Sequence, residues 1–531
     1  MKLTFFGAAK AVTGSCHCVE VNGKKILIDC GLQQGRDERD NSQLDFSPSY
    51  IDCVIVTHAH IDHSGRIPLL VKQGYTGDIL ATRVTGELLS IMLRDSAHIQ
   101  EGDAQWKNQK GKRAGREPVE PLYTVADAEA AVKQLRTHEY GQIIELFEGV
   151  KIRFSDAGHL LGSAYVEMWL KENGVERKII FSGDIGNVNQ PIIRDPGFIK
   201  EADYVVMEST YGDRNHEPAE DYTEHLAEII EKTFARGGNV VIPAFAVGRT
   251  QELLYAIREM KERGLVKSFP DFTVCVDSPL AKEATRIFSG NLWEYLDEEA
   301  REIIRAKGTL LSFPGLTLTT TSEESKMLNM DPSSKVIISA SGMCDAGRIR
   351  HHLKHNLWRP ESTIVFVGYQ GEGTLGRSLL EGADHVKLFG EQISVRAEIV
   401  NFKGLSSHAG RDHLLQWIEA VEPKPLQVFV VHGDAPVTEI FADTLRTRGI
   451  AAHAPLFEEV YDLAENRILA GGVELAPKRP KTQENISAAY WDLERMAMTL
   501  LTRIQSSKSA PNKDLRKMIN QLDSLMQKWS D

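Results

Sequence analysis

The sequence predicts an α/β protein of more than one domain, and three features predict it. The chain has 531 residues, 42% of them apolar, whereas a single domain usually holds about 100–200 residues. Short apolar runs repeatedly end in polar residues, which is typical of strands leading into loops. From about residue 222, helix-like and strand-like segments alternate, and this alternation predicts a parallel sheet covered by helices.

The first part of the chain predicts strands joined by tight turns. LTFFGAA, VTGSCHCVEV and KKILIDCG are short apolar or alternating runs separated by Gly and by Asn-Gly. DCVIV then predicts a buried strand that runs directly into a polar loop. Residues 84–140 show helical periodicity with a basic, proline-containing interruption, after which KIRFSDAGH and KIIFSGDIGN predict strands again.

A second domain is predicted where HLAEIIEKTFARGG, NVVIPAF and QELLYAIREMKERG alternate helix, strand and helix. Strands with polar ends return in AEIVNFKGLSSHAG and LQVFVVHGD, so we expect the first domain to resume there. A polar linker, KRPKTQEN, precedes about fifty residues with helical patterning and many charges. The prediction is therefore a first domain over 1–207, an inserted domain over 208–395, a return segment over 396–475 and a helical appendage over 476–531.

Composition and charge restrict the class of protein. The chain has no run of eighteen apolar residues, and its N-terminus becomes polar too early for a signal peptide, so we expect a cytoplasmic protein without a membrane partner. A formal charge of −12 argues against a uniformly basic surface but leaves a basic cleft open. The stretch from Lys107 to Arg116 either contacts phosphates or is a solvated loop.

The cysteines are expected to be reduced and buried. They are Cys16, Cys18, Cys30, Cys53, Cys275 and Cys344. None forms a CxxC pair, and a long chain without a secretion signal gives little reason to pair them. Cys16 and Cys18 flank His17, but the two-residue period of a strand puts both thiols on one face and His17 on the other. We therefore favour buried apolar side chains over a metal site here.

The strongest functional signal is the segment His58-Ala-His60-Ile-Asp62-His63, which follows the predicted strand DCVIV. It places three imidazoles and one carboxylate within six residues, and Zn²⁺ favours such nitrogen and oxygen ligands. Without a cation, so many unpartnered polar groups would destabilise one another. A strand-to-loop turn could direct His58 and His60 to one ion and Asp62 and His63 to a second.

Two further ligand-type residues stand at strand ends, His159 in DAGHLLGSA and Asp184 in FSGDIGN. Together with HAHIDHSG, these segments resemble the signature of the metallo-β-lactamase superfamily. The resemblance implies an αββα fold and two zinc ions per chain. It implies that one zinc is held by His58, His60 and His159, the other by Asp62 and His63, with Asp184 bridging them. It also identifies Asp29, in LIDCG, as a residue that orients ligands, although a turn aspartate before Gly31 is equally compatible with the residues.

The long segment between Asp184 and His432, the next histidine after a long apolar strand, predicts a large insertion. This layout is similar to that of the β-CASP nucleases, which include the endonuclease subunit of the cleavage and polyadenylation specificity factor. The resemblance covers roughly residues 1–470. Glu208 in VVMESTYG, His408 in FKGLSSHAG and His432 in VVHGD resemble the A, B and C motifs of this group. By resemblance, His432 completes the coordination of the second metal.

The inserted segment contains further family-like motifs, PAFAVGRTQELL, ISASGMCDAGRIRHHL and GYQGEGTLGR. Their glycines permit close approach of the backbone to a phosphate, and arginine can bind a phosphate through two hydrogen bonds. The candidate substrate contacts are Arg249, Ser341, Arg348 and Arg377. Each arginine is equally compatible with a structural ion pair. The histidines without a matching motif are expected to be structural, and these are His351, His352, His355 and His385.

The resemblance predicts a zinc-dependent ribonuclease that hydrolyses RNA phosphodiester bonds, mainly internally and with 5′-exonucleolytic cleavage as a second activity. In this hypothesis a hydroxide held between two metal ions about 3.5–4 Å apart attacks phosphorus. Asp62 and Asp184 position it, and His408 protonates the leaving 3′-oxygen or steadies the phosphoryl group. Glu208 orients His408.

Three alternatives remain open. A small-molecule hydrolase of the same fold would share the zinc motif, but such enzymes normally lack an insertion of this length and the Glu208–His408 pair. A DNA-directed β-CASP nuclease usually carries an aliphatic residue where this chain has His432. A non-catalytic RNA-binding scaffold would lack metal ligands that are all present here. A homodimer is a further expectation, formed through the second domain or the helical appendage.

Overall fold

The computed structural model describes residues 1–35, 40–112, 115–217, 222–402, 404–475 and 511–527, together with positions 496, 500 and 504. The strands are β1 Lys2–Phe5, β2 His17–Val21, β3 Lys24–Ile28, β4 Cys53–Ile55, β5 Asp78–Thr82, β6 Leu135–His138, β7 Ile143–Phe147, β8 Val150–Asp156, β9 Ala164–Glu172, β10 Val175–Phe181, β11 Tyr204–Glu208, β12 Val240–Pro243, β13 Thr273–Asp277, β14 Leu316–Thr319, β15 Lys335–Ser339, β16 Thr363–Phe366, β17 His385–Leu388, β18 Glu391–Ser394, β19 Glu398–Asn401, β20 Gln427–Val431, β21 Ala452–His453, β22 Val460–Asp462 and β23 Arg467–Ala470. The helices are α1 Ile61–Ser64, α2 Ile67–Lys72, α3 Arg83–Lys112, α4 Val125–Lys133, α5 Tyr222–Ala235, α6 Arg249–Arg263, α7 Pro279–Phe288, α8 Glu298–Lys307, α9 Ser322–Met330, α10 Ile349–Asn356, α11 Leu375–Leu380, α12 Arg411–Glu419, α13 Ala435–Thr447 and α14 Asn512–Gln527.

The chain forms two compact units, Met1–Ala476 and Pro477–Asp531. The three large sheets described below all belong to the first unit. The described part of the second unit includes helix α14, whereas most of the predicted helical appendage lies outside the described residues. No helix in the described part of the chain combines the length and the hydrophobicity needed to cross a membrane.

Two sheets pack face to face in the first unit. One has the strand order β23-β22-β1-β2-β3-β4-β5-β6, and the other has the order β21-β20-β11-β10-β9-β8-β7. Side chains of both sheets share one buried apolar cluster, with Phe5 and Ile28 from the first sheet beside Phe154 and Phe181 from the second. The alternation of apolar residues along these strands explains the packing, since every second side chain faces the partner sheet.

Helices cover the outer faces of this pair of sheets. Leu27 and Val54 of the first sheet share a cluster with Leu89 of α3. On the other side, Val428 of the second sheet shares a cluster with Trp417 of α12. The arrangement is helix, sheet, sheet, helix, which confirms the αββα fold.

A third, six-stranded sheet lies between β11 and β20 in the sequence. Its order is β14-β13-β15-β12-β16-β19, and all of its strand pairs are parallel. One face packs on α10 and α11 through residues such as Leu353 and Leu379, and the other packs on α5 and α6 through Leu226 and Leu254. Burial on both faces explains the continuous apolar run of NVVIP and confirms an inserted α/β unit.

The residues that follow this third sheet return to the first two sheets. Strand β20 pairs in parallel with β11, and β22 pairs antiparallel with β1. The exact boundaries at 207, 395 and 475 stay a prediction.

Two sequence predictions concern residues near the first sheet. All six cysteines are free thiols and are buried. Cys16 and Cys18 pack in the cluster on the outer face, whereas the His17 ring lies between the sheets, 5.6 Å from the Phe5 ring and 6.1 Å from the Phe181 ring. The predicted opposite orientation of His17 and the two thiols is therefore confirmed.

The basic stretch at the end of α3 is largely solvated. Lys107, Lys110 and Lys112 are exposed, and the Lys110 ammonium lies 3.7 Å from the centre of the Trp106 ring. Arg113 lies outside the described residues. A phosphate contact by this stretch stays a prediction.

Candidate metal centre and active site

The candidate site forms where loops from both packed sheets meet. Strands β10, β11 and β20 are parallel neighbours, so Asp184, Glu208 and His432, which end or follow them, lie at one sheet edge. His159 follows β8 of this same sheet, whereas the HxHxDH segment comes from the other sheet, in the loop after β4 and in helix α1. Parallel strand direction thus gathers residues that are far apart in the chain.

One group of ligand atoms comes from three histidines and one carboxylate. His60 Nδ1 lies 3.0 Å from His58 Nε2 and 3.2 Å from His159 Nε2. Asp184 Oδ2 lies 3.4 Å from both of those Nε2 atoms. These four ligand atoms all lie within 4.8 Å of one another, which is the spacing of donors around a single ion.

A second group faces the other oxygen of Asp184. His63 Nε2 lies 3.1 Å and His432 Nε2 lies 3.4 Å from Asp184 Oδ1. The two imidazole nitrogens are 3.1 Å apart, and Asp62 Oδ2 lies 3.6 Å from His432 Nε2. The structure therefore brings together all seven sequence-predicted metal ligands, and Asp184 stands between the two groups with one oxygen towards each.

The far nitrogens of four histidines are held by other groups. His63 Nδ1 donates to Asp29 Oδ2 at 2.7 Å, and His159 Nδ1 donates to the Ser407 carbonyl at 3.2 Å. Two hydroxyl groups contact the other two rings. The Thr57 hydroxyl lies 3.2 Å from His58 Nδ1, and the Thr210 hydroxyl lies 3.1 Å from His432 Nδ1. A proton on Nδ1 of each ring satisfies these contacts and leaves the Nε2 lone pair directed into the site, as metal binding requires.

Asp29 is fixed more firmly than a turn aspartate would be. It is 1% exposed, and it accepts the Thr57 backbone N–H at 2.8 Å and the Thr57 hydroxyl at 2.9 Å in addition to His63. Next to it, a Cβ atom on Gly31 would lie 1.6 Å from the Asp62 carbonyl oxygen. Only glycine permits this close approach of the β3 loop to helix α1.

The chemistry of these donors fits a pair of cations. Burial lowers the pKa of His58 and His159 well below the usual value for histidine, so both rings are neutral. Among the described residues, Asp184 Oδ1 is a buried oxygen without a hydrogen-bond partner, and the Nε2 atoms of His63 and His432 face it at 3.1 and 3.4 Å. Polar atoms this close repel one another unless a proton or a cation lies between them.

His408 and Glu208 form a pair beside the metal groups. His408 Nδ1 lies 3.2 Å from Glu208 Oε1, and Glu208 is fully buried and accepts the backbone N–H of Ile185 at 2.6 Å. Burial alone would lower the pKa of His408, but the charges of Glu208 and Asp184 outweigh burial and raise it to about 9. His408 Nε2 faces the site, 3.9 Å from Asp184 Oδ2.

The candidate substrate contacts lie in the inserted unit, and each arginine has a protein partner. Arg249 ion-pairs with Glu252 and donates to the Leu405 carbonyl at 2.9 Å. Arg348 pairs with the buried Asp277 at 2.7 Å, and Arg377 pairs with Glu381 at 2.6 Å. The half-buried Ser341 hydroxyl donates to the Ala346 carbonyl at 3.2 Å. Substrate contact by these four residues stays a prediction.

Of the histidines expected to be structural, His352 has the clearest environment. It is fully buried, and its Nε2 lies 2.7 Å from Asp277 Oδ2 while its Nδ1 lies 3.0 Å from Asn329 Oδ1. His351 stacks on Phe389 with the ring centres 4.3 Å apart, and His385 is exposed on β17.

The sequence did not identify several residues that support the site. Besides Thr57, Thr210 and Ser407, these include Gln190, whose side-chain amide donates to the carbonyls of Gly158 at 3.0 Å and Ser407 at 3.2 Å. The threonines could have been suspected because each stands beside a motif residue. A main-chain carbonyl such as that of Ser407 leaves no signal in the sequence.

Comparisons with known proteins identify matching families and relatives. Three family descriptions match the chain: the metallo-beta-lactamase superfamily over 9–128, the Beta-Casp domain over 250–379 and the Zn-dependent metallo-hydrolase RNA specificity domain over 392–455. Ribonuclease TTHA0252 of Thermus thermophilus is 37% identical over 85% of this chain and 97% of its own length. Transcription termination factor FttA of Methanosarcina mazei is 32% identical over 82% of this chain and 67% of its own length. An RNase J-like protein of Methanocaldococcus jannaschii is 30% identical over 86% of this chain and 98% of its own length.

Proposed function

The chain belongs to the β-CASP ribonuclease family of the metallo-β-lactamase superfamily, and from this premise we propose that it is a dinuclear zinc enzyme that cleaves RNA internally. The observation that carries the proposal is the position of Asp184. Its Oδ2 faces His58 and His159, and its Oδ1 faces His63 and His432. A match to an RNA specificity domain over 392–455 supports RNA as the substrate.

The proposed metal ligands divide into two sets that share Asp184. His58, His60 and His159 would hold one ion, and Asp62, His63 and His432 the other. When bound, paired zinc ions supply Lewis acidity, which lowers the pKa of water and withdraws charge from a phosphoryl oxygen. The protein's own contribution is orientation: Asp29 and the Ser407 carbonyl fix the tautomers of His63 and His159, so neither ring must reorganise.

His408 is the proposed proton donor to the leaving 3′-oxygen. Glu208 accepts a hydrogen bond from His408 Nδ1–H, which leaves Nε2 directed towards the site as the atom that can donate a proton. The loop that carries His408 is itself tied down, because the Asn187 N–H donates to the Ser407 carbonyl at 2.9 Å and the Ala409 N–H donates to the Ile185 carbonyl at 2.8 Å. Such anchoring keeps the donor within reach of one position in the site.

Cleavage from a 5′ end is the second activity in this proposal, and RNA rather than DNA is the proposed polymer. His432 supports the choice of RNA, since DNA-directed relatives usually carry an aliphatic residue there. The domain boundaries at 207, 395 and 475, a homodimer and a cytoplasmic location stay predictions of the sequence.

Cleavage of matched, end-labelled single-stranded RNA and DNA by zinc-loaded protein tests the proposal. We expect internal cuts in RNA that disappear when a chelator is added. The cuts should also disappear in a His60→Ala variant, which lacks a proposed ligand of one of the two ions. His385→Ala is the matched control, because His385 is exposed on β17, and we expect it to cut RNA like the wild type.

Each outcome has a distinct meaning. A ladder of products that starts at the 5′ end would show that cleavage is exonucleolytic and not internal. Equal cleavage of DNA would contradict the choice of RNA. Undiminished cleavage by His60→Ala would contradict the metal centre itself.

A further inference from the structure

Two aromatic side chains of the inserted unit are exposed although buried residues stand beside them in the chain. Phe245 is 49% exposed between Ala244 at 1% and Ala246 at 8%. Tyr369 is 60% exposed, although Gln370 beside it is only 4% exposed. In both loops the backbone turns one ring outwards. Single exposed apolar side chains are common on protein surfaces, so the position of these two rings carries more weight than their exposure.

Both rings lie at the same edge of the third sheet. Phe245 follows β12 and Tyr369 follows β16, and these strands are parallel neighbours, so both loops leave from the carboxyl edge. Gly342 lies in the loop after β15, the strand on the other side of β12, and it contacts both loops. A Cβ on Gly342 would lie 3.2 Å from the Phe245 ring, and the Gln370 side chain donates to the Gly342 carbonyl at 3.1 Å.

This edge adjoins the proposed metal centre. A Cβ on Gly248, three residues after Phe245, would lie 3.2 Å from the side chain of Leu160, which directly follows His159. The helix that begins one residue later donates from Arg249 to the Leu405 carbonyl, in the loop that carries His408. The segment that follows Phe245 thus contacts both the loop that carries His159 and the loop that carries His408.

The two loops hold their rings in place. The Phe245 carbonyl accepts the N–H of Thr250 at 3.2 Å and the hydroxyl of Thr250 at 2.7 Å. The Gln370 amide spans to Gly342 and also donates to the Gly368 carbonyl at 3.3 Å, which closes the turn around Tyr369. Fixed backbone at both positions reduces the entropy lost when a ligand stacks on the rings.

We propose that Phe245 and Tyr369 form a stacking platform that holds unpaired RNA bases next to the scissile phosphate. The proposal rests on the proposed ribonuclease function. Bases of single-stranded RNA stack on exposed aromatic rings irrespective of their identity, whereas paired bases have no free face. The platform would therefore select single-stranded substrates without reading their sequence.

The test measures RNA affinity in metal-loaded protein that carries His408→Ala to prevent turnover. Phe245→Ala and Tyr369→Ala should each weaken binding of a single-stranded RNA about 5- to 100-fold, the range for loss of one stacked base. Phe245→Trp and Tyr369→Phe should restore it. Trp358→Ala is the control, because Trp358 is 54% exposed but follows α10 at the opposite edge of the sheet.

RNAs with single abasic positions make the test specific to stacking. In the parent protein, removal of the base that stacks should weaken binding by the same factor as the alanine variant. In the alanine variant, removal of that base should have no further effect. Unchanged melting temperature and metal content of the variants would exclude misfolding as the cause.

Equal affinity of the parent and both alanine variants would overturn the platform, as would an undiminished abasic effect in the variants. Failure of the proposed function is distinguishable, because it would appear as absence of metal-dependent RNA cleavage by the wild type and not as a change in affinity.

Discussion

Replacing Asp29 by Asn tests how the protein orients a metal ligand. Asp29 Oδ2 accepts the Nδ1–H of His63 at 2.7 Å. Asparagine can keep the oxygen that accepts the Thr57 N–H, but it then turns an NH₂ group towards His63. To accept from that group, His63 must move its proton from Nδ1 to Nε2, the atom 3.1 Å from Asp184 Oδ1. The lone pair that would bind the second ion is then lost.

The expected effect is selective. Residues that orient metal ligands typically contribute about 10- to 100-fold in metal affinity, which equals about 1.4–2.7 kcal/mol. We expect the effect on the ion that Asp62, His63 and His432 would hold, because His63 is the ligand ring that Asp29 contacts directly. Competition with a chelator, followed by metal analysis of the protein, should therefore show one ion leaving at about 10- to 100-fold lower chelator concentration than in the wild type.

Asp52→Asn is the matched control for Asp29→Asn. Asp52 likewise accepts a side-chain donor, Lys24 Nζ at 2.7 Å, and a backbone N–H, that of Lys25 at 2.9 Å, but it lies before β4 and away from the ligands. We expect it to retain both ions. Simultaneous loss of both ions from Asp29→Asn, or retention of both at wild-type affinity, would refute the reasoning.

Three further predictions concern residues around the site. Glu208→Gln should lower kcat for RNA about 100-fold at unchanged metal content, because the carboxylate that holds His408 loses its charge; a matching fall in bound metal would argue against this role. Arg249→Ala should lower kcat about 10-fold by releasing the Leu405 carbonyl, and steady-state kinetics that show only a raised KM would indicate substrate contact instead. Although burial alone would raise the pKa of Asp277, hydrogen bonds from neighbouring side chains hold it below its usual value. The stabilising effect of the Asp277 carboxylate is complete above the unfolded pKa of about 4 and is lost as the pH falls. Urea titrations between about pH 5 and pH 3 should therefore show a larger loss of unfolding free energy in the wild type than in Asp277→Asn. Equal losses in the two proteins would contradict the pairing.

The sequence predicted which residues converge at the candidate metal centre, because their signal is local. His58 to His63 stand together in the chain, and His159 and Asp184 each end a recognisable strand. Parallel strands bring such ends to one edge, so the convergence of these residues follows from the fold class. The alternation of helix and strand patterns predicted the inserted parallel sheet, whereas the αββα arrangement was implied by the resemblance of the motifs to the metallo-β-lactamase superfamily.

The supporting contacts could not be predicted, because they depend on tertiary placement. The Ser407 and Leu405 carbonyls act through main-chain atoms, which every residue possesses. Asp277 and Asp184 resemble each other in the sequence, because each is an aspartate at or just after the end of a strand. The oxygens of Asp277, however, contact Arg348 and His352. Phe245 stands in an apolar run that is typical of a buried strand, and only its position at the sheet edge makes it exposed.

The most direct test of the dinuclear account is a zinc titration of metal-free protein in which bound metal and internal cleavage of labelled RNA are followed together. The account predicts that cleavage requires two bound ions per chain, and that Asp184→Asn, which weakens the oxygen shared by both groups, does not cleave at the same metal loading. A full cleavage rate with one ion per chain, or in Asp184→Asn, would contradict it.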